Sequence, residues 1–83
     1  MAGDEKILER ILEGRSAIAF RDLERILRKL GFELVRTRGS HNIYRHPKVS
    51  RHLNIQPIGK EAKPYQIRQL CDMIKEFNLT IEG

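Results

Sequence analysis

The stretch Gly31–Pro57, GFELVRTRGSHNIYRHPKVSRHLNIQP, decides the fold. Three short β-prone runs fit in it, about Phe32–Arg38, His41–His46 and His52–Pro57, joined by two turns. The turn Gly39-Ser40 sets the register, because Gly accepts positive φ at the first position of a two-residue type II′ loop. That loop puts Arg38 opposite His41, Arg36 opposite Ile43, Val35 opposite Tyr44, Leu34 opposite Arg45 and Glu33 opposite His46. Opposed residues share a sheet face. One face then shows Arg36, Arg38, His41, Ile43 and Arg45, and the other Val35, Thr37, Asn42 and Tyr44. Burying Val35 and Tyr44 costs far less than burying three arginines, so helices are expected over the Val35/Tyr44 face. His41 is then expected on an open, basic face, unless a one-residue bulge intervenes. Pro47 closes the second strand. Leu53 and Ile55 are expected beside Tyr44, which requires an even loop or a bulge near Lys48–Arg51. His52, Asn54 and Gln56 then join the open face.

Outward from this stretch, three segments read as helices. Residues 4–13 carry a narrow stripe of Ile7, Leu8, Ile11 and Leu12, with Asp4 as the expected N-cap and Gly14 as the stop. Residues 15–19 connect. Residues 20–30 bury Phe20, Leu23, Ile26, Leu27 and Leu30, and Gly31 ends the helix. Ala19 is a weak cap for it. The last helix starts at Pro64, carries Ile67, Leu70, Cys71, Ile74 and Phe77 on one stripe, and ends at Asn78. The order α-α-β-β-β-α predicts a two-layer α+β domain: a three-stranded antiparallel sheet with helices on one face.

Eighty-three residues make a single domain, residues 1–83, with a small core. The 33% charged and 40% hydrophobic composition fits an ordered globular chain. No apolar run approaches the ~18 residues that cross a membrane. The start Met-Ala-Gly-Asp-Glu is acidic, unlike a signal peptide, so a cytoplasmic location is expected. The lone Cys71 excludes an internal disulfide framework and a multi-cysteine zinc site. It sits on an apolar stripe, where a buried hydrophobe is a simpler reading than a nucleophile. Charge is segregated. No acidic residue occurs between Leu34 and Lys60, a window holding Arg36, Arg38, Arg45, Lys48, Arg51 and Lys60. The remaining ten basic and eleven acidic residues leave the rest of the chain at −1. A segregated basic surface points to a polyanionic partner.

The motifs carry a family resemblance. Leu30-Gly31-Phe32, Arg38-Gly39-Ser40-His41, Tyr44-Arg45-His46-Pro47 and Leu53-Asn54-Ile55-Gln56-Pro57, framed by helices, resemble the HicA family. These are small toxins of type II toxin–antitoxin pairs that cleave mRNA on a fold like that of double-stranded-RNA-binding domains. The resemblance covers about residues 20–79, and residues 1–19 add a helix and connector to that core. It implies an mRNA interferase with single-stranded mRNA as substrate and a HicB-type antitoxin as protein partner. The family's catalytic histidine follows Gly-Ser, which maps to His41. In one departure, Asn42 follows His41 where many members carry a second histidine.

The residues make their own case for His41. RNA is cleaved without metal when a base takes the 2′-hydroxyl proton and that oxygen attacks the adjacent phosphate. Histidine suits the task, and arginines hold the phosphate bidentately. Arg38 and Arg45 are the nearest by register. The expected RNA-contacting set is Arg36, Arg38, Ser40, Arg45, Lys60 and Lys63, with Gly39, Tyr44 and His46 in support. The plain alternative is that His41 merely opens a strand on a polar face. For His46 the expectation is a structural role on the helix-facing side, paired with Glu33. Lys60, Lys63 and Arg68 flank a helix start that suits a phosphate, though a solvated charged rim explains them as well. Alternation puts His41 and His46 on opposite faces, so no metal site and no cofactor are expected. Two rivals to an endoribonuclease stand: a non-catalytic RNA-binding module on the same basic surface, and a protein-docking domain. Only the enzyme gives His41 a special role.

Overall fold

A computed structural model describes residues 2–14 and 18–81. Residues 15–17, part of the expected connector, lie outside the described residues. Among those described, the order is α1 (Ala2–Leu12), α2 (Phe20–Leu30), β1 (Glu33–Arg38), β2 (His41–His46), β3 (Val49–Ile55), β4 (Pro57–Ile58), β5 (Glu61–Ala62) and α3 (Pro64–Phe77). β1, β2 and β3 form an antiparallel sheet in that order, and β4 and β5 form a separate small hairpin. The α+β architecture with a three-stranded antiparallel sheet is as expected; the second hairpin is an addition to it. Its loop, Gly59-Lys60, repeats the logic of Gly39-Ser40. In each loop the glycine alone has positive φ, +57° at Gly39 and +60° at Gly59, as a type II′ turn requires.

The core is one apolar cluster. α2 contributes Leu23, Ile26, Leu27 and Leu30, the sheet Tyr44, Val49, Leu53 and Ile55, and α3 Ile67, Leu70, Met73 and Ile74. Each fully buried aliphatic side chain contributes roughly 1.5–3 kcal/mol. Phe20 and Phe77, expected on the buried stripes, are only half-buried at its edge. Helix α1 packs on α2 and α3 and inserts Ile11, which has no exposed surface. Asp4 is not an N-cap. It lies inside α1, 7% exposed, and its carboxylate pairs with Arg25 and Lys29 of α2. The expected cap was misjudged because the helix begins two residues earlier, at Ala2.

The register of β1 against β2 holds only near the turn. Arg38 pairs with His41, Thr37 with Asn42 and Arg36 with Ile43, but a bulge at Val35 then sets Leu34 opposite Tyr44 and Glu33 opposite Arg45. Val35 is 44% exposed, so the expectation that it is buried with Tyr44 fails. The pairing of Glu33 with His46 fails with it. β1 is an edge strand, exposed along its whole length. On a strand exposed throughout, leaving Val35 in solvent carries little cost, and an edge bulge blunts further strand pairing. Between β2 and β3, Tyr44 pairs with Leu53 and His46 with Val49. Three residues of β3 therefore face Arg45 alone. Two extra residues preserve alternation, which keeps Val49, Leu53 and Ile55 on the buried side. β3 runs Val49–Ile55 rather than His52–Pro57. It stops because the Gln56 amide donates to the buried Gln66 side chain (2.8 Å) instead of to a strand, and Pro57 has no N–H to give.

Candidate nucleic-acid interface

The Gly39-Ser40 turn and the start of α3 meet at one end of the sheet. His41 opens β2 there, exposed, on the face the helices leave free. Its Nδ1 lies 3.3 Å from Oδ1 of Asn54 on β3. The turn beside it is braced from several sides. Ser40 Oγ accepts from Gln56 Nε2 at 3.0 Å, and Lys63 Nζ donates to Gln56 Oε1 at 2.8 Å. The Asn42 amide spans the carbonyls of Ser40 (3.3 Å) and Ile55 (3.4 Å). Thus Ser40, His41 and Lys63 stand together, tied through Gln56 and Asn54, two residues for which the sequence offered only a place on the open face.

The arginines divide by pairing. Arg36 and Arg38 are exposed and, among the described residues, have no ion-pair partner. Arg38 sits directly across from His41. Arg45 stands farther along the same face, loosely facing Glu33 at 3.9 Å, a contact the β1 bulge creates by turning Glu33 to that side. Such an exposed pair stabilises little. A cleft of about 360 Å³ at that end is lined by Arg45, Ser50 and His52 along with Glu33. Arg51 leaves the interface altogether: it pairs with Glu76 at 3.1 Å and lies 5.9 Å above Phe77 of α3. Lys60 is not brought to His41 either. Its hairpin bonds to the start of α2, where Phe20 N donates to Lys60 O at 2.8 Å.

Two residues expected in support are structural. Tyr44 has no exposed surface, and its hydroxyl donates to Glu24 of α2 at 3.0 Å. Burial first, then the Glu24 carboxylate, push the phenol up to about 12. His46 is 9% exposed. The Lys48 N–H donates to its Nδ1 (3.0 Å), so the neutral ring carries its hydrogen on Nε2 and donates it to the Leu30 carbonyl (2.8 Å). That carbonyl lies at the C-terminus of α2, where helical partners run out. Phe32 meets the imidazole edge-on, ring centres 5.1 Å apart. A Cβ on Gly31 would sit 2.8 Å from His46 Nε2, and Gly31 has φ +102°, so both the clash and the backbone require glycine.

Among the described residues, no three His, Cys, Asp or Glu side chains gather as a metal site. No helix among them is long and apolar enough to cross a membrane. Cys71 is buried, with its Sγ donating to the Leu12 carbonyl at 3.6 Å. Chemically, the turn end offers an exposed imidazole, two unpaired guanidinium groups and a braced hydroxyl, a set able to hold a phosphodiester and move a proton.

Comparison with known proteins bears on this set. The sequence pattern of one family, described as the HicA toxin of bacterial toxin–antitoxin systems, matches residues 20–79. That span runs from the first residue of α2 to just beyond α3 and leaves α1 outside. No curated protein matches the chain, and no solved structure does.

Proposed function

This chain belongs to the HicA toxin family, toxins of bacterial toxin–antitoxin systems, and from that premise we propose that it is a metal-independent endoribonuclease acting on single-stranded mRNA in the cytoplasm. His41 is the base. Its free ring nitrogen takes the 2′-hydroxyl proton, the 2′ oxygen attacks the neighbouring phosphorus, and the bond to the 5′ oxygen breaks. The leaving 5′ oxygen regains a proton from the imidazolium or from water. The products are a 2′,3′-cyclic phosphate and a 5′-hydroxyl end. Arg38, with Arg36 beside it, holds the phosphate and offsets the charge that develops on it. Ser40 and Lys63 contact the backbone at the turn, Arg45 contacts it farther along the face, and Lys60 lies at the margin. Gly39 shapes the turn; Tyr44 and His46 hold the strand. The 20–79 core carries the activity, and α1 (Ala2–Leu12), which packs on α2 and α3, is an addition to it.

The observation that carries this reading is an exposed histidine directly across a strand pair from an exposed arginine that has no ion-pair partner among the described residues. The family implies an antitoxin partner. In this reading it is a HicB-type protein whose acidic surface covers the same open basic face and gains association rate from it. The test compares decay of a single-stranded transcript by wild type and by His41→Ala, with and without chelator. Decay by wild type alone, unchanged in chelator, is expected. Equal decay by both proteins would remove His41 from the chemistry, and loss of activity in chelator would overturn the metal-free route. Tight duplex-RNA binding with no decay by either would favour a non-catalytic RNA-binding module.

A further inference from the structure

Among the described residues, the histidine proposed as base has one side-chain hydrogen-bond partner, Asn54, and that partner dictates its tautomer. Asn54 lies two residues from the register position that faces Ile43's neighbour His41: Ile43 pairs with Asn54 itself, so His41 and Asn54 are diagonal on the open face. The atom that approaches His41 Nδ1 is Asn54 Oδ1, at 3.3 Å. An amide oxygen only accepts, so a neutral His41 in this contact carries its hydrogen on Nδ1 and leaves the Nε2 lone pair free. The separation is at the long end for such bonds, as is common at open sites before substrate closes on them.

We propose that Asn54 is the positioning residue of His41, holding the imidazole in its Nδ1–H form so that Nε2 faces the RNA as the proton acceptor. This rests on the reading of His41 as the base. The physical need is specific. An imidazole with its hydrogen on Nε2 would present a donor to the 2′-hydroxyl and could not take its proton. A ring free to rotate would lose the alignment on which proton transfer depends. Asn54 is suited to the task because β3 is fixed from beneath: its neighbours Leu53 and Ile55 have no exposed surface. The contact thus refers His41 to the rigid core through one strand. His46 does the opposite in the same protein, with Nδ1 accepting and Nε2–H donating.

That opposition supplies an internal control. In nitrogen-15 labelled protein, at a pH where the imidazoles are neutral, two-bond proton–nitrogen spectra report which ring nitrogen of each histidine carries hydrogen. The expected result is Nδ1–H at His41 and Nε2–H at His46. Asn54→Leu reverses the first and leaves the second as it was, with little change in unfolding because Asn54 is exposed. In cleavage assays Asn54→Leu lowers kcat by about 10²-fold with KM nearly unchanged, while Asn54→Asp, which keeps an accepting oxygen, recovers most of the rate. An Nε2–H form of His41 in wild type, or no reversal in Asn54→Leu, overturns the positioning role. So does an Asn54→Asp variant as slow as Asn54→Leu. Equal cleavage by wild type and His41→Ala would instead overturn the reading on which the role rests, and the spectra would judge the contact on their own.

Discussion

His41 and His46 begin and end the same six-residue strand, and their surroundings differ in every respect that matters to an imidazole. His41 is exposed, faces arginines, and touches one amide oxygen. His46 is buried, with both ring nitrogens engaged by backbone groups and the Phe32 ring packed edge-on with it. An odd separation along a strand puts the two side chains on opposite faces. One end of β2 therefore keeps a histidine free to exchange a proton, and the other uses the same side chain as a hydrogen-bonded brace between β2 and the end of α2. Residue type alone says nothing about role here; the face of the sheet decides it.

The division predicts separable losses. The largest is in activity: His41→Ala should slow transcript cleavage by roughly 10²–10⁴-fold, the usual worth of one acid–base group, while thermal unfolding stays that of wild type. Next is RNA affinity. Arg36→Glu with Arg38→Glu should weaken binding of an uncleaved RNA and lower the slope of log affinity against log salt by about one per lost contact. Folding should hardly respond, since both arginines are exposed and neither has an ion pair among the described residues. Titrations at several salt concentrations check this. If affinity were unchanged, the open face would not be where RNA binds.

Stability effects belong to the other end. His46→Ala leaves the Leu30 carbonyl and the Lys48 N–H without their partner and should cost about 1–3 kcal/mol in denaturant unfolding. Gly31→Ala should cost a similar amount from backbone strain at positive φ. The two should not add: in the His46→Ala background the Cβ no longer meets the imidazole, so part of the Gly31→Ala penalty disappears. Additive losses would separate Gly31 from His46.

The smallest expected effect joins α1 to α2. The Lys29 and Arg25 hydrogen bonds hold the Asp4 carboxyl below its usual 3.8. The folded state therefore binds this proton less readily than the unfolded chain. The resulting stability is fully present above about pH 4 and drains away as pH falls through the lowered value. Asp4→Asn should be the less stable protein at neutral pH, and its unfolding curve should converge on that of wild type in acid. Parallel curves down to low pH would assign the pair no role.

Much of this was legible in the sequence, for physical reasons that can be named. Helix α2 and its stop at Gly31 follow from a strict apolar stripe and the positive φ only glycine adopts cheaply. The exposed position of His41 follows from Gly39-Ser40, because a two-residue turn fixes its immediate neighbours. The reading weakened with distance from the turn. Nothing in Leu34-Val35-Arg36 announces a bulge, and the alternation rule that placed Val35 inside assumes a covered strand, which β1 is not. The bulge also carried Glu33 to the basic face, so Arg45 stands less free than its sequence window implied. The β4–β5 hairpin was findable from Gly59-Lys60 by the rule already used at Gly39-Ser40. The Gln56–Gln66 bond was not, since it depends on how α3 returns to the sheet. Asn54 beside His41 was within reach, because both fall on the open face by alternation, but only coordinates say which atom approaches which nitrogen.

The most direct test treats the two histidines side by side. His41→Ala and His46→Ala are purified, their unfolding is followed, and cleavage of one single-stranded transcript is measured at a temperature where both are folded. The division of roles predicts a stable, inactive His41→Ala and a less stable His46→Ala that still cleaves. A His41→Ala protein that cleaves like wild type, or a folded His46→Ala protein that is equally inactive, would contradict it.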